Sequence, residues 1–307
     1  MDVRQLQLFI AVAEEGSIHG GARRMMVAQP AMSKALRALE RQLQTQLVQR
    51  SPRGIELTTA GEALLGQAYE IVRSLERTVD IVQQAGHGQK TLTVGLISGA
   101  ASASELTSDI IRGFQRLCPN VTVTVRELDF ADQFTVVADG HVDVALVRTP
   151  CGDDRVSATP LFAEPLVLAL RSDHKLATAS TVSPEEILDE TMLGMVDAPR
   201  SWTSFWHLND LRSCAPRTGQ SVRTLAELQF ALMGSSDMVM PMTLTAWRMS
   251  AHHSDLRALR IEDAPQSTAA VTFHRNEDRE HVLAFVEHAR ETSQLFLEKV
   301  PEAVSPA

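Results

Sequence analysis

The chain has 307 residues, 44% hydrophobic and 22% charged, which is typical of a globular protein with roughly two or three domains. Its formal net charge of −9 argues against a protein that coats nucleic acid with its whole surface. No apolar run reaches the roughly 20 residues that cross a bilayer, and the N-terminus lacks a secretory signal pattern. We therefore expect a cytoplasmic protein with no membrane partner.

The charge is unevenly distributed along the chain. Residues 1–58 hold eight Lys or Arg and five Asp or Glu, whereas the remainder holds 21 basic and 33 acidic residues. A small basic module joined to an acidic body is typical of a DNA-binding head with a second function elsewhere. The alternative is that so small an excess over 58 residues is chance.

The first 58 residues have the pattern of a winged helix-turn-helix. Apolar spacing predicts a helix over 2–14, and Ser17 can cap a second helix that reaches about Met26. A third helix begins at Gln29 after a short turn, and the segment 51–58 has the turn residues and alternation of a hairpin. These elements predict a DNA-binding domain over 1–58.

The third helix carries the strongest functional signal. Pro30 suits the first turn of a helix, and Met32, Leu36, Leu39 and Leu43 form one buried stripe. The remaining face offers hydroxyl groups and cations, which suit base edges and phosphates. From this helix, its neighbours and the wing we predict these DNA contacts: Ser17, Arg23, Gln29, Pro30, Ser33, Lys34, Arg37, Arg50 and Arg53.

A long helix should follow over about 59–85, capped by Thr59 with Glu62 three residues later. Its apolar positions step by four and three residues, which favours pairing with a partner helix, although packing within the head remains the alternative. Gly86–Gly88 then reads as a hinge, so residues 59–88 form a linker. The expected dimerisation positions are Leu64, Ala68, Ile71, Leu75, Thr78 and Val82.

From residue 89 onward strand and helix patterns alternate, as in a doubly wound α/β domain. The order predicts two lobes, one from about 91–161 and 266–300 and the other from about 162–265. Ligands bind at the carboxyl ends of strands in such sheets, so the cleft between the lobes is the expected ligand site.

The chain resembles the LysR-type transcriptional regulators over essentially its whole length. The residues that carry the resemblance are Ser17, Ala22, Gln29-Pro30-Ala31, Ser33, Leu39-Glu40, Leu47, Arg50, Leu57-Thr58 and Ala60-Gly61. Two departures precede the third helix: Met26 replaces the usual turn glycine and Ala28 replaces the usual Ser.

The resemblance implies an α+β multidomain protein: a winged helix-turn-helix, a long linker helix and a two-lobed α/β effector domain similar to periplasmic binding proteins. It implies a homodimer or homotetramer that binds double-stranded promoter DNA and acts on RNA polymerase. It implies no cofactor beyond a small effector, whose binding shifts an equilibrium between states of different affinity.

We expect the effector in the cleft. The family's sites use the loop after the first body strand, and the run from Asp143 to Arg148 is similar to regulators of aromatic-compound breakdown, which favours an aromatic or dicarboxylic acid. The alternatives are a helix cap at 98–102, an ion pair at Arg148 and a solvated Arg200. The candidate residues are Ser98, Gly99, Ala100, Ser102, Phe130, Arg148, Pro199, Arg200, Ser201 and Trp202.

Three other functions fit less well. An enzyme lacks support, because Ser98 is one place late for a nucleophile elbow and no phosphate-binding loop is present. A transport solute-binding protein would need a signal peptide, and a purely architectural DNA protein would leave the body without a function. His252-His253 lacks a third ligand and the three cysteines have no metal spacing, so we expect no metal.

Overall fold

The computed structural model describes residues 1–51, 54–87, 90–97, 99–150, 153–211, 214, 216–250 and 253–306. The chain divides into two compact units, 1–88 and 89–307. The helices are α1 Val3–Glu15, α2 Ile18–Arg24, α3 Gln29–Leu43, α4 Thr59–His87, α5 Leu106–Leu117, α6 Asp132–Thr135, α7 Pro184–Ile187, α8 Arg200–Trp206, α9 Leu225–Met233, α10 Leu244–Ser250 and α11 Glu280–Leu295. The strands are β1 Val48–Ser51, β2 Gly54–Leu57, β3 Lys90–Leu96, β4 Val121–Glu127, β5 Val144–Arg148, β6 Val156–Glu164, β7 Leu166–Arg171, β8 Thr181–Val182, β9 Thr191–Met195, β10 Arg217–Val222, β11 Met238–Thr243, β12 Leu256–Ile261 and β13 Ser267–His274.

The first unit begins with the three predicted helices and a two-stranded antiparallel hairpin. Met32, Leu36 and Leu39 of α3 are buried against α1, as the stripe predicts, but Leu43 at its end is exposed. Gly21 allows α2 to lie close to α1, because an added Cβ would meet the Val12 nitrogen at 2.9 Å. Glycine here is therefore a packing requirement as well as a cost in helix propensity.

Helix α4 starts where the sequence predicts, but its cap is a different residue. Thr58 Oγ1 accepts a hydrogen bond from Gly61 N at 3.0 Å, and Thr59 is already helical. The predicted capping box at Thr59 and Glu62 is therefore wrong. The prediction failed because two threonines stand side by side, and only the backbone decides which one lies outside the helix.

The first half of α4 packs on α1 inside the same unit. Ala68, Tyr69 and Val72 are buried in one cluster with Leu6 and Ile10. The predicted dimer positions Leu64 and Ala68 thus belong to this intramolecular cluster. Among the described residues, no helix has the length and hydropathy needed to cross a bilayer.

The second unit contains two sheets, each the centre of one lobe. Lobe 1 has five strands in the order β4-β3-β5-β13-β6, and lobe 2 has six in the order β10-β9-β11-β7-β12-β8. The chain passes between them at residue 165, after β6, and returns between β12 and β13. The first crossing therefore lies a few residues beyond the predicted boundary at 161, because β6 runs on to Glu164.

The sequence patterns did not indicate five elements of this unit: β6, β8, β10, β12 and α10. Strand β10 is exposed at five of its six positions, so it has no alternating pattern to detect. Helix α8 ends at Trp206 and is followed by a 3₁₀ turn at Asn209–Leu211.

Candidate functional site

Helix α3 presents a continuous polar surface. Gln29, Pro30, Lys34 and Arg37 are exposed, and Ser33 is half-buried beside them. Pro30, Ser33, Lys34 and Arg37 line one shallow depression together with Arg41. Among the residues that the structure describes, no ion pair involves Lys34, Arg37 or Arg41. Their charges are therefore available to an anion such as a phosphate backbone.

The hairpin lies next to this helix. A groove between them is lined by Ser33 and Arg37 from α3 and by Val48, Gln49 and Ile55 from the two strands. Glu40 fixes the hairpin, since its Oε1 accepts from Leu47 N at 3.0 Å and Val48 N at 3.4 Å. The side chain of Arg50 and the whole of Arg53 lie outside the described residues.

The remaining predicted DNA contacts lie on α2. Ser17 caps this helix, because its Oγ accepts from Gly20 N at 3.0 Å, so its hydroxyl has a structural role. Arg23 is exposed in the last turn. Met26, between α2 and α3, has a φ of 52° and is 93% exposed. An apolar side chain therefore stands in solvent at a left-handed position beside the start of α3.

The second half of α4 carries an exposed apolar strip. We define it as Ile71, Leu75, Val79 and Val82, which are 39–65% exposed. Thr78 lies beside it, and its hydroxyl donates to Ser74 O at 2.8 Å. Three of the predicted dimerisation positions are thus in the strip and Thr78 borders it, whereas Leu64 and Ala68 are used within the unit.

Within the second unit, a pocket with a cavity volume of about 50 Å³ lies between the two lobes. Lobe 1 contributes four residues, and lobe 2 contributes the other ten. The lining is mostly aliphatic, aromatic and thioether: Ile97, Ala101, Phe130, Arg148, Met195, Trp202, Trp206, Leu225, Leu228, Met240, Pro241, Met242, Thr243 and Ala246. Three predicted effector residues are in this set, namely Phe130, Arg148 and Trp202.

An aromatic wall crosses the pocket from one lobe to the other. The ring of Phe130 lies 5.3 Å from that of Trp202, which lies 5.5 Å from that of Trp206. The Phe130 N–H also donates to the Arg223 carbonyl at 2.9 Å, which links the lobes through the backbone. Phe130 is therefore both a pocket residue and part of the contact between lobes.

Among the described residues of the lining, Arg148 is the one that carries a charge, and it is already paired. Its Nη1 lies 2.6 Å from Glu164 Oε1, with both residues buried, although not in the direction of a well-formed hydrogen bond. Its Nη2 donates to Ala101 O at 3.4 Å. Glu164 Oε2 accepts from Thr245 N at 2.7 Å, so the carboxylate joins β6 to the start of α10. The ion pair that the sequence left as an alternative is thus present.

Of the other predicted effector residues, Gly99, Ser102, Pro199, Arg200 and Ser201 are not among the described lining residues. Arg200 and Ser201 are exposed at the start of α8, after Pro199. Ser102 is buried, and its hydroxyl donates to Gly99 O at 2.9 Å, within a 3₁₀ turn at Gly99–Ala101. Ser98 lies outside the described residues, and only the backbone of Ala100 is described. From the described part of this loop, Ala101 lines the pocket.

Sequence reasoning missed much of the lobe 2 wall. Trp206 lies on α8, and Met240, Met242 and Thr243 lie on β11; none of the four is among the predicted effector residues. The pairing of Glu164 was also missed. The sequence feature that could have indicated this pairing is the position of Glu164 at the end of an apolar run. An acidic residue in a buried strand requires a partner for its charge.

Two family models match the chain. The first, described as "Bacterial regulatory helix-turn-helix protein, lysR family", matches residues 3–62, and the second, "LysR substrate binding domain", matches residues 85–294. This protein belongs to the LysR family. It is a DNA-binding transcriptional regulator with an effector-binding domain, as the sequence predicted, and its relatives are regulators and not enzymes.

Relatives of this LysR-family chain cover much of its length. It is 28% identical over 206 residues to the HTH-type transcriptional regulator AlsR of Bacillus subtilis, which is 67% of each chain. It is 27% identical over 285 residues to the probable cat1 operon transcriptional activator of Acinetobacter lwoffii, which is 91% of each chain.

Solved structures share the fold. The LysR-family regulator CbnR gives a TM-score of 0.58 at 24% identity and covers 95% of this chain and 99% of its own. Full-length BenM gives 0.54 at 20% identity, covering 98% of this chain and 99% of its own. At these identities the likeness shows a common fold, and the α+β multidomain prediction is confirmed.

Proposed function

We propose that this regulator binds promoter DNA through α3 and the hairpin, as a dimer or tetramer, and that a small aromatic effector in the interlobe pocket controls its action on RNA polymerase in the cytoplasm. The observation that carries the DNA part is the unpaired cationic face of α3 beside the hairpin groove. The proposed contacts are Gln29, Pro30, Ser33, Lys34 and Arg37 on α3, Arg23 on α2, and Arg50 and Arg53 on the wing.

A gel-shift titration with the DNA upstream of the protein's own gene tests this role. Each phosphate contact contributes a slope of about −0.9 to the dependence of log K on log salt concentration. Arg37→Ala should weaken binding, and the slope should shrink by about one if Arg37 contacts a phosphate. Arg4→Ala removes an equal charge from the exposed surface of α1 and is the matched control. Equal losses in the two variants, or no shift by the wild type, would contradict the proposal.

The exposed strip on α4 supports self-association. Burying an exposed aliphatic side chain stabilises an assembly by about 1.5–3 kcal/mol, and four such side chains lie on successive turns. We propose that this strip, with Thr78, pairs with the same strip of a second copy. Two heads held together would read two half-sites of one operator.

The pocket supports an aromatic rather than an open-chain dicarboxylic effector. Its walls are rings, aliphatic side chains and thioethers, and the one cation among them is already paired with Glu164. A diacid would bring two charges to a site with no unpaired counter-charge among the described lining residues. A thermal-shift screen of aromatic and dicarboxylic compounds tests this: stabilisation by diacids alone would contradict it.

A further inference from the structure

Most polar groups in the described lining of the pocket are hydrogen-bond donors. Arginine and tryptophan side chains can only donate hydrogen bonds. Thr243 Oγ1 accepts from Ala246 N at 3.0 Å, and its hydroxyl hydrogen can donate to a ligand. Among the described lining residues, Arg148, Trp202, Trp206 and Thr243 are the polar side chains. A ligand in this space therefore meets donors.

The donors carry no net charge to balance an anion. Arg148 is 5% exposed and Glu164 is 0% exposed, and their charges cancel at 2.6 Å. A carboxylate in the pocket would lie near the Glu164 carboxylate with no second cation, or would have to take Arg148 away from it. Burial of an unpaired charge is strongly unfavourable, and so is the loss of one partner of a buried pair.

The indole N–H of Trp206 is a buried donor in the lining. Trp206 is 6% exposed, and its Nε1 has no hydrogen-bond partner in the part of the chain that the structure describes. A buried donor left unpaired is costly in free energy. A ligand that accepts a hydrogen bond from it therefore gains affinity. The rings of Trp202 and Phe205 lie at 5.5 Å and 5.2 Å from that of Trp206 and hold its plane.

We propose that the effector is an uncharged aromatic compound with a hydrogen-bond acceptor, such as an aromatic ketone, ester or amide, and not a carboxylate. The ring packs against Phe130 and Trp202 and the thioethers of Met195, Met240 and Met242, and the acceptor receives the Trp206 N–H. This inference rests on the proposed effector pocket and narrows its ligand to one chemical class.

Three ligands of similar shape separate the contributions of ring packing, a neutral acceptor and a negative charge to the affinity. Toluene has the ring alone, acetophenone adds a neutral acceptor, and benzoate adds a charge. Calorimetric titration of the full-length protein at pH 7.5 should give acetophenone an affinity about fivefold to tenfold above that of toluene, the value of one hydrogen bond. Benzoate should bind more weakly than acetophenone by tenfold or more.

Trp206→Phe removes the donor and keeps a ring. It should lower acetophenone affinity about fivefold to tenfold and leave toluene within twofold. Trp247→Phe is the matched control, because Trp247 packs against the core of the same lobe outside the pocket. It should change neither affinity.

The outcomes distinguish the inference from the proposal on which it rests. Benzoate binding as tightly as acetophenone would overturn the neutral-ligand inference and leave the aromatic effector pocket standing. An acetophenone affinity unaffected by Trp206→Phe would overturn the assigned donor. If none of the three binds the wild type, the pocket is not an aromatic site and both proposals fail.

Discussion

The buried pair of Arg148 and Glu164 makes a prediction about stability. Glu164→Leu leaves a guanidinium that is 5% exposed without its counter-charge, and breaking a buried pair in this way costs about 3–5 kcal/mol. It also removes the acceptor of the Thr245 N–H, which adds about 1–3 kcal/mol. Arg148→Leu incurs the first cost alone, because the carboxylate still accepts from Thr245. We expect Glu164→Leu to destabilise the second unit more than Arg148→Leu does.

The double variant removes both charges. Apolar replacement of a buried pair is often neutral, so its cost should be about 1–3 kcal/mol, that of the Thr245 N–H. The two single effects together should then exceed the double effect by about 6–10 kcal/mol, because each single variant leaves one buried charge unpaired and the double variant leaves none. Urea unfolding followed by tryptophan fluorescence measures this in the second unit alone, since all three tryptophans lie there.

The exposed pair of Lys299 and Asp109, 2.7 Å apart, is the control for this cycle. The corresponding leucine variants there should show a coupling of about 0.2–1 kcal/mol, as exposed pairs do. If the effects at Arg148 and Glu164 add within about 0.5 kcal/mol, the two charges are not coupled. Arg148 would then be able to pair with an acidic ligand, contrary to the inference drawn from its contact with Glu164.

Three further predictions concern the turn, the linker helix and pH. Met26→Gly should stabilise the head by about 1 kcal/mol in thermal unfolding. A non-glycine residue at positive φ costs about 1–2 kcal/mol, and glycine's greater freedom in the unfolded chain offsets part of the gain. A loss of stability would contradict the strained turn. Leu75→Glu should shift sedimentation equilibrium toward the monomer. Ser74→Glu, at the exposed preceding position, should not. Equal shifts in the two variants would show that the strip is not the dimer interface. Burial and the nearby Arg279 hold the pKa of His281 below its usual 6.5, so the unfolded chain binds the proton more readily than the folded chain does. The stability that His281 contributes is therefore present above pH 6.5 and is lost as pH falls through its folded pKa. His281→Gln should therefore lose less stability than the wild type between pH 7.5 and 5.5 in urea titrations, and an equal loss would contradict this origin.

The head was accessible to sequence reasoning because its signals are local. A helix shows its buried face every three or four residues, and Met32, Leu36 and Leu39 are buried as that period requires. The polar face of α3 follows from the same geometry. Ser17 was recognised as a cap because capping is a contact between neighbours in sequence, here over three residues.

The pocket depended on contacts between distant residues. Trp206 has the same apolar character in a core as in a binding site, and only the approach of the two lobes places it beside Phe130 and Trp202. Composition likewise could not show whether α4 pairs with α1 or with a second copy, because an apolar residue packs equally well on either.

The sequence alone determined the family, the recognition helix and the alternation of strand and helix, since each is a pattern of residues close together along the chain. The tertiary structure alone decided the charge available to a ligand. Arg148 and Glu164 are 16 positions apart, on strands β5 and β6 with β13 between them. Their pairing cancels the charge that made Arg148 resemble an acid-binding residue, because electrostatics depends on distance in space and not on distance along the chain.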